Sequence, residues 1–98
     1  MITLINIFTV APERQDELVA LLQALTDEVT STLPGFISAS FHRGLNGRRV
    51  ANYAQWETAE HWKAMVRHPE VQARMGPIIA MATFEPHLYA PVSTHGPS

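Results

Sequence analysis

Two side chains four residues apart, Asn52 and Trp56, suggest the first chemistry in this chain. They sit in Val50-Ala51-Asn52-Tyr53-Ala54-Gln55-Trp56-Glu57, whose β-branched and aromatic residues read as a strand. Alternation places Val50, Asn52, Ala54 and Trp56 on one face and Ala51, Tyr53 and Gln55 on the other. The first face is apolar apart from one amide, and its Asn52 and Trp56 stand roughly 13 Å apart at about 3.3 Å per residue. An amide and an indole on one apolar wall can receive a flat organic molecule. A second asparagine, Asn6, interrupts the stripe Ile2, Leu4, Asn6, Phe8, Val10 of an earlier strand. Such an amide usually bonds to neighbouring backbone, but two of them in one dry wall cost roughly 1–3 kcal/mol each when unpaired.

The elements that must carry these residues follow from periodicity. Ile2 to Val10 is a strand with both faces apolar, the mark of cover on both sides. Pro12 suits a first helical position, and Glu13, Asp16 and Glu17 place negative charge near the positive end of that helix. Leu18, Leu21, Leu22, Leu25 and Val29 recur at helical spacing and predict a helix that ends at Leu33-Pro34-Gly35. Phe36 to Leu45 predicts a second strand, with Ile37, Ala39 and Phe41 on one face and Ser38, Ser40 and His42 on the other. Asn46-Gly47 predicts a tight hairpin into the third strand. Thr58 is a suitable N-cap for a helix presenting Trp62, Met65 and Val66. A further short helix is expected from Pro69 to Met75, stopped by Gly76-Pro77, and a last strand from Met81 to Tyr89, with Pro86 favouring a sheet edge.

The order β-α-β-β-α-β predicts a ferredoxin-like α+β fold, a four-stranded antiparallel sheet with its helices on one face. Residues 1–91 form the expected domain, and 92–98, rich in Pro, Ser and Gly, an expected flexible tail. Ile5, Ile7 and Tyr53 fall on the uncovered face, which predicts a homodimer closing an α+β barrel.

Composition removes several function classes. The chain has 98 residues, 46% of them hydrophobic and 16% charged, with net charge −2 and no cysteine. Seven basic residues make no nucleic-acid footprint, and thiolate or iron–sulfur chemistry has no ligands. No apolar run is long enough to span a membrane and no signal-peptide pattern opens the chain, so the expectation is a cytoplasmic protein without membrane contact. His42, His61, His68, His87 and His95 form no metal-binding spacing. Arg74 can point toward the pocket or lie as an exposed helix cation. No triad, phosphate loop or carboxylate pair is present.

Across nearly its whole length the chain resembles the antibiotic biosynthesis monooxygenase family. The resemblance rests on I-N-x-F-T-V at the start, P-G-F, the N-Y-x-x-W-E strand, H-P-E-V and F-E-P-H-L-Y. It implies a small dimeric ferredoxin-like protein that oxidises an anthrone, hydroquinone or polyketide-like aromatic with O2 and no metal or flavin. In polyketide-tailoring relatives a strand asparagine and tryptophan four residues apart carry this chemistry, and Asn52 and Trp56 match them. Asn6 matches a first-strand asparagine, so Asn6, Asn52 and Trp56 are the expected catalytic residues, with Phe8, Trp62, Met65 and Arg74 around the substrate. Two departures stand out. A helix tyrosine of one relative falls at Trp62, and the tryptophan and histidine of the haem-degrading branch fall at Met65 and Met75, which disfavours haem degradation. The same scaffold also serves isomerases, enzymes that degrade signal molecules, and non-catalytic binding dimers.

Overall fold

The computed structural model describes residues 1–97. The strands are β1 (Ile2–Val10), β2 (Phe36–Arg43), β3 (Arg49–Trp56) and β4 (Ala82–Tyr89). The helices are α1 (Gln15–Glu28), α2 (Ala59–Arg67) and α3 (Pro69–Met81), with short 3-10 turns at Pro12–Arg14 and Thr30–Thr32. The strands form one antiparallel sheet in the order β2-β3-β1-β4, so the long β1 is central and the proline-bearing β4 is an edge. All three helices lie on one face, giving the ferredoxin-like two-layer arrangement.

The helix-facing side of the sheet is a set of cross-strand rows. Leu88, Leu4, Ala54 and Ala39 form one row; Pro86, Asn6, Asn52 and Phe41 form the next; Phe84, Phe8 and Val50 follow. The core divides at the asparagine row. One cluster joins Phe8, Val10 and Val50 to Leu18, Leu22, Leu25, Val71 and Ile78 from the helices. A smaller one on the other side holds Leu4, Ala54 and Trp56. On the opposite face Ile5 and Ile7 are half-buried and Tyr53 is 44% exposed.

Three local expectations are corrected. Helix α3 runs through Gly76-Pro77 to Met81 rather than stopping at Met75, and β4 accordingly starts at Ala82. Proline removes one backbone donor and crowds the residue before it, but that residue is glycine, which has no Cβ to clash. The turn beyond the proline carries Ile78, which is completely buried, and this burial offsets the lost bond. The second correction is in β2. A register irregularity between Phe36 and Ser38 turns Phe36 inward against Trp56 and leaves Ile37 44% exposed, while Ala39 and Phe41 keep the inward face. Finally, the hairpin is wider than two residues. Gly44 and Gly47 bond in sequence, Asn46 Oδ1 accepts from Arg48 N–H, and Gly47 has φ 77°.

Residues 90–97 have no helix or strand, and Ser98 of the expected tail lies outside the described residues. Among the described residues no helix is long and apolar enough to cross a membrane.

The turn from α1 into β2 sets how closely α2 can approach. Gly35 has φ 85°, its carbonyl accepts from Glu57 N–H, and a Cβ there would collide with the base of the His61 ring. Gly35→Ala should therefore destabilise the fold by about 2 kcal/mol or more through strain and overpacking. In thermal unfolding this corresponds to a Tm lowered by roughly 10 °C.

Candidate functional site

Asn6 and Asn52 are direct cross-strand partners in the β1–β3 ladder. Residues so opposed have Cβ atoms about 4.5–5.5 Å apart, which brings two carboxamides side by side. Pro86 and Phe41 occupy the flanking positions of the row and offer no side-chain donor. The result is visible in the polar atoms. Oδ1 of Asn6, Oδ1 of Asn52 and Nε1 of Trp62 are buried without a hydrogen-bond partner among the described residues. An amide can be turned over, so each asparagine presents either a donor or an acceptor; the indole can only donate.

All three groups line one cavity of about 490 Å³ between the sheet and the helices. That volume lies in the range of small-molecule sites. Its floor is the asparagine row with Leu4, Phe8 and Phe84, and its wall and roof come from Leu22, Leu25, Met65, Val71 and Met75. Among the described residues no Asp, Glu, Lys, Arg or His side chain lines it. Any charge that develops inside must be met by neutral dipoles, the amides, the indole and the threonine hydroxyls, whose strength rises in a low-dielectric chamber.

Helix α2 closes one side. Thr58 caps it by accepting from His61 N–H, which aims Trp62, Met65 and Val66 at the sheet. His68 then caps α3 by accepting from Glu70 N–H. His61 and His68 are thus turned to helix ends, and among the described residues no group of three His, Asp or Glu side chains is placed to hold a metal ion.

Of the residues expected at the site, Asn6, Asn52, Phe8, Trp62 and Met65 line the cavity. Trp56 and Arg74 do not, and both placements correct the expectation of a shared chamber. Trp56 lies on the predicted face, but Ala54 separates it from Asn52 by one further row. It is 1% exposed and packs edge-on against Phe36, with ring centroids 5.5 Å apart. Arg74 donates to Glu28 Oε2 at 2.6 Å and stands 3.8 Å from Glu70. Its pKa is raised above the ordinary value, chiefly by the hydrogen bond to Glu28.

Several lining residues escaped the sequence reading. Thr26 and Thr30 border the α1 leucine stripe, and Gln72 follows the His68-Pro69 break. The only available signal was a pair of threonines one turn apart beside an otherwise apolar face. Phe41, Phe84 and Pro86 enter through strand register, which sequence spacing does not give.

The unpaired amides yield a stability test. Replacing an unsatisfied buried polar group with an apolar one of similar shape is neutral or stabilising. Asn52→Leu should hold or raise stability by up to about 1–2 kcal/mol, a Tm gain of roughly 4–8 °C per kcal/mol. A marked fall in Tm would mean that the amide has a structural partner.

Comparison with known proteins agrees with this architecture. The sequence model of the antibiotic biosynthesis monooxygenase family matches residues 1–75. Tetracenomycin-F1 monooxygenase from Streptomyces glaucescens is 43% identical over 72 residues, covering 74% of this chain. That match covers 64% of the relative, so this chain spans less than two thirds of the relative's length. A Streptomyces coelicolor monooxygenase from ActVA-Orf6, solved with nanaomycin D, superposes with a TM-score of 0.83 at 26% identity, covering 99% of this chain and 92% of the other. SnoaB, a cofactor-independent oxygenase from Streptomyces nogalater, shares the fold with a TM-score of 0.78 at 23% identity, over 95% and 94% of the two chains. With three quarters of its length matched, from β1 through most of α3, this chain belongs to the antibiotic biosynthesis monooxygenase family.

Proposed function

We propose that this protein is a cofactor-independent monooxygenase that oxidises an electron-rich aromatic substrate, such as an anthrone or hydroquinone of polyketide type, with O2. The observation that carries this reading is the adjacent pair of unpartnered amides, Asn6 and Asn52, beside the Trp62 indole in an apolar chamber. The relatives' activities on tetracenomycin F1 and in SnoaB support the same reaction class.

The chemistry needs little from the protein beyond these dipoles. A phenolic anthrone loses a proton from its methylene carbon to give an electron-rich enolate. The enolate passes one electron to O2, and the radical pair joins as a carbon-bound peroxide. Cleavage of the O–O bond with loss of the remaining C–H proton leaves a quinone carbonyl and one water. Both oxygen atoms of O2 are thereby accounted for. In this scheme Asn6, Asn52 and Trp62 donate to the enolate oxygen, and Phe8 and Met65 hold the ring plane. Proton loss relies on the substrate's own acidity or on water, since among the described residues no ionisable side chain lines the chamber. Trp56 acts as a positioning residue by holding β3 from the small core cluster.

The same proposal places a second copy of the chain over Ile5, Ile7 and Tyr53 on the open sheet face, and the protein in the cytoplasm. Burial of that apolar strip would give a small domain extra core.

The test is oxygen uptake by chelator-treated protein with a hydroxyanthrone, followed by product absorbance. Asn52→Ala is expected to lower kcat by about 10²–10³, the usual cost of one oxyanion donor, while the protein remains folded. Full activity in that variant would remove Asn52 from the mechanism. Ligand-induced stabilisation without oxygen uptake would instead favour a binding protein.

A further inference from the structure

The helix layer of the chamber carries polar groups for which the proposed reaction has no use. Thr26 in α1 and Thr30 just beyond it stand one turn apart, and both line the cavity. Hydroxyls in such positions commonly donate to a backbone carbonyl in the preceding turn. Their neighbours do so: Ser31 Oγ donates to Asp27 O at 3.2 Å, and Thr32 Oγ1 to Val29 O at 2.7 Å. Thr26 and Thr30 form no side-chain hydrogen bond among the described residues, and both are half-buried. Gln72, also on the helix side, donates its amide to Val66 O at 3.4 Å, which leaves its own oxygen free to accept. Valine would fill the threonine positions equally well if the chamber selected on apolar volume alone.

We infer that Thr26 and Thr30, with Gln72 beside them, form a second polar anchor that selects substrates bearing a hydroxyl or carbonyl on a ring remote from the reacting carbon. The inference rests on the proposed aromatic-substrate reading of the chamber. The sheet side supplies Asn6 and Asn52 and the helix side supplies the threonines, so a flat fused-ring guest is held at both ends. Thr26 also borders a smaller, more polar cleft with Gln23, Asp27, Ala39 and Phe41. Thr26 therefore stands between the chamber and the outer cleft, and a guest without a polar group at that end leaves its hydroxyl unpaired on binding. A neutral anchor suits this place, because among the described residues no cation lines either space to meet an anionic group and Asp27 in the adjoining cleft disfavours one.

Binding of unsubstituted anthraquinone and of 2,6-dihydroxyanthraquinone with its hydroxyls un-ionised tests the anchor without requiring turnover. Quenching of tryptophan fluorescence reports occupancy, because Trp62 lines the chamber. The parent should bind the dihydroxy compound more tightly. Thr26→Val with Thr30→Val should weaken that compound by about tenfold and leave the unsubstituted one unchanged, consistent with a modest net value per hydrogen bond. Thr26→Ser with Thr30→Ser should restore the preference. Equal loss for both ligands, or no loss for either, overturns the anchor, as does a parent that binds neither compound. Selectivity that follows the hydroxyls in a protein that consumes no oxygen would sustain the anchor and defeat only the oxidation reading.

Discussion

The pairing of Asn6 with Asn52 across β1 and β3 is the constraint on which the rest of this molecule depends. Side chains alternate along a strand, so a slip of one residue in either strand would send one amide to the open face and leave the other alone. Register is held because both strands place their buried apolar residues on the helix side: Leu4, Phe8 and Val10 on one, Val50, Ala54 and Trp56 on the other. The apolar contacts on either side of the row therefore fix the position of the polar pair. Leaving two buried amide oxygens unpartnered costs roughly 1–3 kcal/mol each, a sizeable share of the stability of so small a domain.

That cost is offset on either side of the row, not at it. The larger core cluster joins the sheet to α1 and α3, and the smaller one anchors the far end of β3 through Trp56 and Phe36. Between them the helix layer stands off the sheet and leaves the chamber. Surface ion pairs add little to this balance. Arg14 with Glu17 and Lys63 with Glu60 are exposed pairs, screened by solvent and held by long mobile side chains, so they contribute little. The Arg74–Glu28 pair bridges α3 to the end of α1 and so steadies two walls of the chamber without entering it.

The chamber's chemistry is that of dipoles without charges. Asn6, Asn52 and Trp62 line a space shared with Thr26, Thr30 and Gln72, and among the described residues no acid or base lines it. Such a site stabilises charge that appears on the guest more readily than it supplies or removes a proton. This is the physical link to the proposed reaction, since a guest that becomes an electron-rich enolate needs its developing charge met by such dipoles.

The amino-acid sequence alone determined the strands, their order and the face on which each asparagine lies, because these follow from alternation, helical spacing and the turn residues between them. It also placed Asn52 and Trp56 on one face, since parity along a strand is a local property. Distance across the fold is not local. Only the tertiary structure decided that Trp56 packs against Phe36 outside the chamber, that Arg74 turns to Glu28, and that Thr26, Thr30 and Gln72 line it. A bulge at the start of β2 and the burial of Ile78 beyond Pro77 likewise overrode the local pattern, because both depend on what another element packs against them. Periodicity tells each residue which way to face; what it meets there is fixed by register and by the gap between layers.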